Sequence, residues 1–228
     1  MPHHLAIETA LSTPRMGTYV AATTQVPSLP GAVALYTWNA QVSAAFMHPL
    51  HLCEVVIRNA VSEALSASYG PRWPWDNGFL LSLPHPANSK GLRLRDTVTA
   101  AAAKAEFARL PGSLASTDKA IAEMSFAFWE AMFTQRHDAG LWAARILTLF
   151  PNAPSRFTFY QLRSRIYGHL RTLRKLRNRI AHHEPIFARP LGKEFLIIDE
   201  LIRFRCIRTA DWMMRTQEVQ RLLRMRPA

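Results

Sequence analysis

Cysteine is scarce in this chain. Only Cys53 and Cys206 occur among 228 residues, which is too few for a disulfide-stapled secreted scaffold and fits a reducing compartment. The first residues, MPHHLAIETALSTPR, lack the basic and then apolar order of a secretory signal, so we expect a cytoplasmic protein. The sequence also lacks G-x-S-x-G, C-x-x-C and a phosphate-binding glycine loop, so it offers no motif for the enzyme classes that use them.

Charge is absent from one long stretch, between Arg15 and Glu54. Three prolines and several polar residues interrupt it, so no window has the roughly 20 apolar residues that a membrane-spanning helix needs. The whole chain is 49% apolar and 19% charged. It can therefore bury a full core, which excludes a disordered polyelectrolyte, and we predict no contact with membrane.

Acidic residues are outnumbered. The chain has 28 Lys and Arg against 16 Asp and Glu, a formal charge of +12, and 23 of the 28 bases are Arg. Residues 156–228 hold 17 of the bases and 6 of the acids, and no acid occurs from 139 to 183. The guanidinium group binds phosphate with two parallel hydrogen bonds, so nucleic acid is the first partner to consider. The alternative is a protein that is basic only because its source proteome is rich in Arg.

The hydrophobic pattern is helical almost throughout, without a strand pattern or an internal repeat. We predict an all-α fold with a weakly structured, flexible tail over 1–27 and a single helical domain over 28–228. The expected helices cover 28–48, 49–70, 97–109, 117–135, 139–149 and 156–183, with one or two more between 191 and 226. The expected helix starts include Pro49, Asn88 or Ser89, Ser116, Asp138 and Ser155. A Pro- and Trp-rich loop is expected over 70–87, and Phe126, Phe128, Trp129 and Phe133 are expected in the core.

The predicted helix 156–183 carries an arginine in an unusual place. Its apolar residues form one stripe, and Arg177 falls about 20° to 35° from the centre of that stripe at 100° per residue. A buried unpaired charge is costly, so either the stripe opens into a cleft there or an acid meets Arg177. Glu54, at the edge of an apolar face, is the best candidate. A Glu54–Arg177 pair that only fixes the register of two helices is the purely structural alternative.

The end of the same helix carries two histidines. His182 and Asn178 lie one turn apart on the side opposite the stripe, together with Arg171 and Arg174. The negative end of the helix dipole favours the protonated imidazole, so His182 is suited to proton transfer beside a phosphate. Adjacent helical side chains diverge, and no Cys or carboxylate lies nearby at metal-binding spacing, so we predict neither a metal nor a cofactor.

The segment 176–187, LRNRIAHHEPIF, carries R-N-x-x-x-H-H from Arg177 to His183. It resembles the catalytic R-x-x-x-x-H signature of the HEPN superfamily, most closely its abortive-infection-like (Abi-like) branch. The similarity extends to LCEVVIRN at 52–59 and MSFAFW at 124–129, and then to the Leu141-Trp142 and Phe150-Pro151 pairs.

The resemblance implies a HEPN-like helical bundle with additional helices. It also implies a metal-independent endoribonuclease, a toxin or phage-defence effector that acts as a homodimer, in which the apolar stripe would face the partner copy. Arg177 would stabilise the charge on the phosphorane, His182 would move a proton, Asn178 would orient His182 or the phosphate, and Glu54 would position Arg177. The residues that we expect to bind RNA are Arg58, Arg171, Arg174, Lys175, Arg179 and His183.

Two alternatives remain open at this point. Some related domains bind RNA or a toxin partner without cleaving anything, so the motif does not prove turnover. The chain could also be an interaction protein whose basic end docks an acidic partner, such as a cognate antitoxin or inhibitor.

Overall fold

A computed structural model describes residues 3–23, 27–84 and 93–227. Within these ranges the chain is all-α and has no strand, which confirms the predicted fold class. The helices are α1 (His3–Leu11), α2 (Thr13–Val20), α3 (Leu29–Tyr69), α4 (Asn77–Ser82), α5 (Leu94–Phe107), α6 (Thr117–Ala122), α7 (Phe126–Ala131), α8 (Ile146–Leu149), α9 (Phe159–Ala181), α10 (Leu191–Arg205), α11 (Ile207–Thr216) and α12 (Val219–Arg224). Single 3₁₀ turns cover Trp73–Trp75 and Gln135–His137, and Asp138–Trp142 forms a π-helical turn.

The longest element is α3, with 41 residues. The prediction of two helices that meet at Pro49 is wrong, because α3 runs through this proline without a break. An internal proline costs about 3 kcal/mol through the lost hydrogen bond and a steric clash. Pro49 is itself buried, and fully buried apolar residues precede and follow it on one face of the helix. Burial of Phe46 and Leu50 on either side offsets the cost of Pro49.

The first helices pack onto α3. The predicted tail over 1–27 is wrong for the described residues 3–23, which form α1 and α2. Met16 and Tyr19 of α2 are 0% and 1% exposed, and the Tyr19 ring contacts the rings of Tyr36 and Phe187 edge to face. Two buried side chains one turn apart are enough to hold a short helix against the core, a pattern hidden in the sequence by the surrounding Thr, Ala and Gly.

The central core is aromatic. Phe126, Phe128, Trp129 and Phe133 are all buried, as predicted, and the Phe133 ring stacks on Trp142 with centroids 4.4 Å apart. The predicted helix over 117–135 is broken into α6 and α7, because the chain turns after Ala122 before it enters the core.

Two helix starts differ from prediction. α9 begins at Phe159 rather than 156, because Thr158 and Gln161 form a capping box: the Thr158 hydroxyl accepts from the Gln161 amide, and the Gln161 side chain accepts from the Thr158 amide. Asp138 does not cap a helix over 139–149. Its carboxylate is buried and accepts hydrogen bonds from Arg163 at 2.8 and 3.1 Å.

The remaining predictions are met in part. The segment 70–84 contains a buried Trp73 and the short α4, so it is packed rather than open. Asn88 and Ser89, the expected caps of α5, lie outside the described residues. The C-terminal region forms three helices, α10 to α12, where one or two were expected. No helix in the described ranges is long and apolar enough to cross a membrane.

Candidate functional site

The two sides of α9 differ sharply. Its inner side buries Leu162, Ile166, Leu170, Leu173, Leu176 and Ile180 against the protomer's own core. The expectation that this stripe faces a partner copy is therefore wrong. On the opposite side, residues spaced by four, three and four positions fall on one line along the helix. We call this line the α9 outer face; its members are Arg171, Lys175, Asn178 and His182.

The acid-free window of the sequence is not free of acids in the fold. Carboxylates that lie outside this window pair with four of its arginines. The pairs are Arg163–Asp138 (2.8 Å), Arg165–Glu200 (2.6 Å), Arg174–Glu130 and Arg179–Glu184 (3.3 Å). A carboxylate partner reduces the attraction of an arginine for phosphate. Arg174 and Arg179, both predicted to bind RNA, are thus already engaged within the chain.

Arg177 differs from those four arginines. It is half-buried at the edge of the inner side, and in the described residues it forms neither an ion pair nor a side-chain hydrogen bond. Arg171 and Lys175 are also without an acidic partner there, but both are exposed. Arg177 is therefore the arginine of α9 that is half-buried and has no acidic partner among the described residues.

Glu54 and Arg177, both among the described residues, form neither the expected ion pair nor a hydrogen bond with each other. Glu54 lies on α3, about 100° around the helix from the buried Cys53, and is half-buried. The Cys53 thiol is enclosed, and burial first and the Glu54 carboxylate second raise its pKa. Glu54 was expected either to position Arg177 for catalysis or only to fix the register of the two helices. Both roles require contact between Glu54 and Arg177, and the structure shows no ion pair between them.

Arg58 also lies on α3, one turn after Glu54. It is half-buried, and its Nε is enclosed without a hydrogen-bond partner in the part of the chain that the structure describes. Because α3 packs against the inner side of α9, neither Arg58 nor Glu54 belongs to the α9 outer face.

The carboxyl end of α9 is a Schellman motif. His182 is the C-cap residue and is exposed, while His183 follows with φ of 55° in the left-handed region. The His183 amide donates to the Ile180 carbonyl at 3.0 Å, and the Glu184 amide donates to the Arg179 carbonyl at 2.8 Å. His183 therefore helps to end α9 through its backbone, a role that the sequence analysis, which expected it to bind RNA, did not predict.

Two residues that the sequence did not single out hold the chain just past this motif. Arg15 of α2 donates to the His183 carbonyl. The side-chain oxygen of Asn39, buried in α3, accepts from the amides of Ile186 and Phe187 at 2.8 and 3.1 Å. An asparagine between Trp38 and Val42 on an apolar helix face was the available signal, because a buried amide needs partners.

A pocket of about 680 Å³ opens beside the end of α9. His183, Ala181 and Ile180 form one side of it, and residues of α1, α2 and α3 form the rest, including Arg15, Tyr19, Tyr36, Ser43 and Met47. In the described ranges, no group of three or more His, Cys, Asp or Glu side chains is arranged to hold a metal ion. The lining is mostly aliphatic, with two tyrosine rings, the imidazole of His183 and the guanidinium group of Arg15.

Comparison with known proteins adds no relative. No family model, no curated protein and no solved structure matches this chain.

Proposed function

We propose that the chain is a metal-independent endoribonuclease of the HEPN superfamily, in its Abi-like branch, and that it serves as a toxin or phage-defence effector. One observation carries the proposal. Arg177, the first residue of R-N-x-x-x-H-H, is half-buried and has no acidic partner in the described chain, whereas four other arginines of the same helix are paired. A guanidinium group without an acidic partner is suited to an anion that arrives with the substrate.

The reaction needs only groups that this chain supplies. A base withdraws the proton of a ribose 2′-OH, the 2′-oxygen forms a bond to the adjacent phosphorus, and the bond from phosphorus to the 5′-oxygen breaks as that oxygen receives a proton. The products are a 2′,3′-cyclic phosphate and a 5′-hydroxyl. His182 moves the proton, Arg177 stabilises the charge on the pentacoordinate phosphorus, and Asn178 orients the phosphate. Arg171 and Lys175 bind the flanking phosphates. Glu54 has no step in this scheme.

The proposal includes a homodimer. His182 lies five positions after Arg177, so the two side chains point about 140° apart around the axis of α9. A single helix does not aim both groups at one phosphate. Two copies of α9 facing each other would allow Arg177 of one copy and His182 of the other to reach the same phosphate.

Cleavage of single-stranded RNA in excess EDTA tests the proposal. Wild-type protein should release 2′,3′-cyclic phosphate ends, and Arg177→Ala and His182→Ala should each lower the rate on the order of 100-fold or more. Arg109→Ala and His3→Ala are matched controls, since both residues are exposed and lie outside α9. Cleavage that survives both active-site substitutions, or that requires a divalent metal, contradicts the proposal.

A second candidate is an RNA-binding module without catalysis. The divergence of Arg177 and His182 within one protomer favours it, because binding needs no shared target for the two side chains. This candidate predicts RNA binding that weakens steeply with salt, no cleavage, and no effect of His182→Ala on affinity. Co-purification with an acidic partner, without RNA binding, would point instead to an interaction protein held by an antitoxin or inhibitor.

A further inference from the structure

The outer side of α11 carries an exposed tryptophan between two arginines. Arg208, Trp212 and Arg215 are spaced by four and three positions, so they lie in one line along the helix. Trp212 is 48% exposed and both arginines are exposed, while Ala210 and Met213 on the other side are 0% exposed. We call Arg208, Trp212 and Arg215 the α11 outer face.

This face carries two arginines, Arg208 and Arg215, that are free of ion pairs in the part of the chain that the structure describes. The two acids nearest in sequence are both occupied: Asp211 accepts from Arg203 at 2.9 Å, and Glu218 accepts from Arg221 at 2.6 Å. A ligand on this face would meet two unpaired guanidinium groups.

Trp212 of the α11 outer face contacts α3 one residue away from a side chain that lines the pocket at the end of α9. The Trp212 ring contacts the ring of His48 edge to face, with centroids 6.5 Å apart. His48 follows Met47 on α3, and Met47 lines the same pocket as His183. These two consecutive residues of α3 therefore link the indole of Trp212 to the lining of the pocket that His183 shares.

We infer that the α11 outer face binds single-stranded RNA, with a base stacked on Trp212 and the flanking phosphates on Arg208 and Arg215. Every base has a π face that can stack on an indole, and guanidinium groups bind phosphate. A duplex hides its base faces, so an unpaired strand is the ligand that this face fits. The inference rests on the proposed function for the identity of the ligand, and it assigns the path that the strand takes away from His182.

Charge disfavours a second copy of the chain as the occupant. A two-fold contact centred on Trp212 would bring two sets of Arg208 and Arg215 together without an acid between them. Like charges in a contact cost several kcal/mol. A strand of phosphates has the opposite charge and meets no such penalty.

Binding is measured with the full chain carrying His182→Ala, so that the strand stays intact. The probe is a fluorescein-labelled oligouridine of about 12 nucleotides, within the site sizes known for stacking platforms. Trp212→Ala should weaken binding roughly tenfold, and Trp212→Phe should recover most of that loss. Arg208→Gln combined with Arg215→Gln should lower the slope of log affinity against log salt by about 1.4.

The matched controls are Phe107→Ala and Arg109→Gln. Phe107 is an aromatic residue 95% exposed, and Arg109 is an exposed arginine that pairs with Glu106. Neither change should alter affinity. Circular dichroism of each variant checks that the helices are intact.

Fluorescence gives an independent measurement. Of the six tryptophans, Trp38, Trp73, Trp129 and Trp142 are at most 4% exposed and Trp75 is half-buried, so acrylamide quenching in a Trp75→Phe background reports on Trp212. Addition of the oligouridine should protect this fluorescence, and Trp212→Phe should remove the protected component.

Three outcomes would overturn the inference. These are unchanged affinity in Trp212→Ala, an unchanged salt slope in the double arginine variant, or a change of oligomeric state in RNA-free Trp212→Ala during sedimentation. The last would mean that the face joins two copies. Failure of this inference is distinguishable from failure of the proposed function. If RNA binds at Trp212 but wild-type protein never cuts it, the nuclease proposal alone is contradicted. If wild-type protein cuts RNA but Trp212→Ala does not change the affinity, the α11 site alone is contradicted.

Discussion

Arg174 of α9 donates a hydrogen bond through Nε to the carboxylate of Glu130 on α7. The Glu130 side chain is 8% exposed and the Arg174 side chain is 34% exposed, so the pair lies with its acid inside the core and its base at the surface. α9 and α7 pack against each other, and this pair crosses their contact. The guanidinium group thus compensates a buried negative charge that has no other partner in the described residues.

Arg174→Ala should lower the free energy of unfolding by about 2 kcal/mol, because it leaves the Glu130 carboxylate buried and unpaired. This loss is smaller than that for breaking a fully buried ion pair, because water reaches the Arg174 side chain. Arg171→Ala, three residues earlier on the outer face, should change it by no more than about 0.5 kcal/mol. Urea denaturation of both variants measures the difference. Equal stability of the two would show that the pair contributes nothing.

His183→Gly should stabilise the protein by about 1 kcal/mol. At φ of 55° a side chain meets the backbone, and glycine avoids that penalty while it keeps the Schellman hydrogen bonds. The carbonyl that accepts from Arg15 is also retained. Thermal unfolding tests this, with His183→Ala as the comparison because alanine keeps the strained Cβ; a loss of stability in the glycine variant would contradict it.

Asn39→Ala should cost about 3 kcal/mol, since it leaves the buried amides of Ile186 and Phe187 without an acceptor. Asn39→Asp keeps an acceptor oxygen and should cost less. Amide hydrogen exchange at Ile186 and Phe187 provides a local measurement. Protection of both amides that persists in Asn39→Ala would mean that the side chain does not hold this segment.

Stability should fall between pH 6.5 and pH 4 because of His137. Burial first and the Arg136 charge second lower its pKa to about 4, against the opposing effect of Asp138. Below pH 6.5 the unfolded chain binds a proton at this imidazole, while the folded chain does not until about pH 4. The loss amounts to about 3 kcal/mol over that range. His137→Phe should flatten this part of the stability profile, and His3→Phe, at an exposed site, should leave it unchanged.

Helix content was predictable from the sequence because it depends on local patterns. The positions at which helices begin and end were harder to predict. The spacing of Leu162, Ile166 and Leu170 predicts α9 directly. The continuity of α3 was not predictable, because local chemistry at Pro49 favours a helix start, while burial on both sides of it, a property of the whole fold, decides the outcome. Met16 and Tyr19 were missed for the same reason, since only the core of α3 shows what they pack against.

In the candidate site, too, local features were predictable from the sequence and contacts between distant residues were not. The positions of Arg177, Asn178 and His182 on α9 follow from periodicity, and the structure places them on the two sides expected. The pairing of charges does not follow, because Glu130 and Asp138 are remote in sequence from the arginines that they meet. A net charge counted along the chain therefore overstated the number of arginines free to bind phosphate, and it gave no indication that Glu54 would miss Arg177.

The continuity of α3 has a practical consequence. This one helix packs against α2, α7, α9, α10 and α12. A protease that cut within Leu29–Tyr69 would remove part of the contact surface of each of these helices at once. We therefore expect limited digestion inside this helix to yield no stable half of the protein, and the search for a minimal folded fragment should begin at the chain ends.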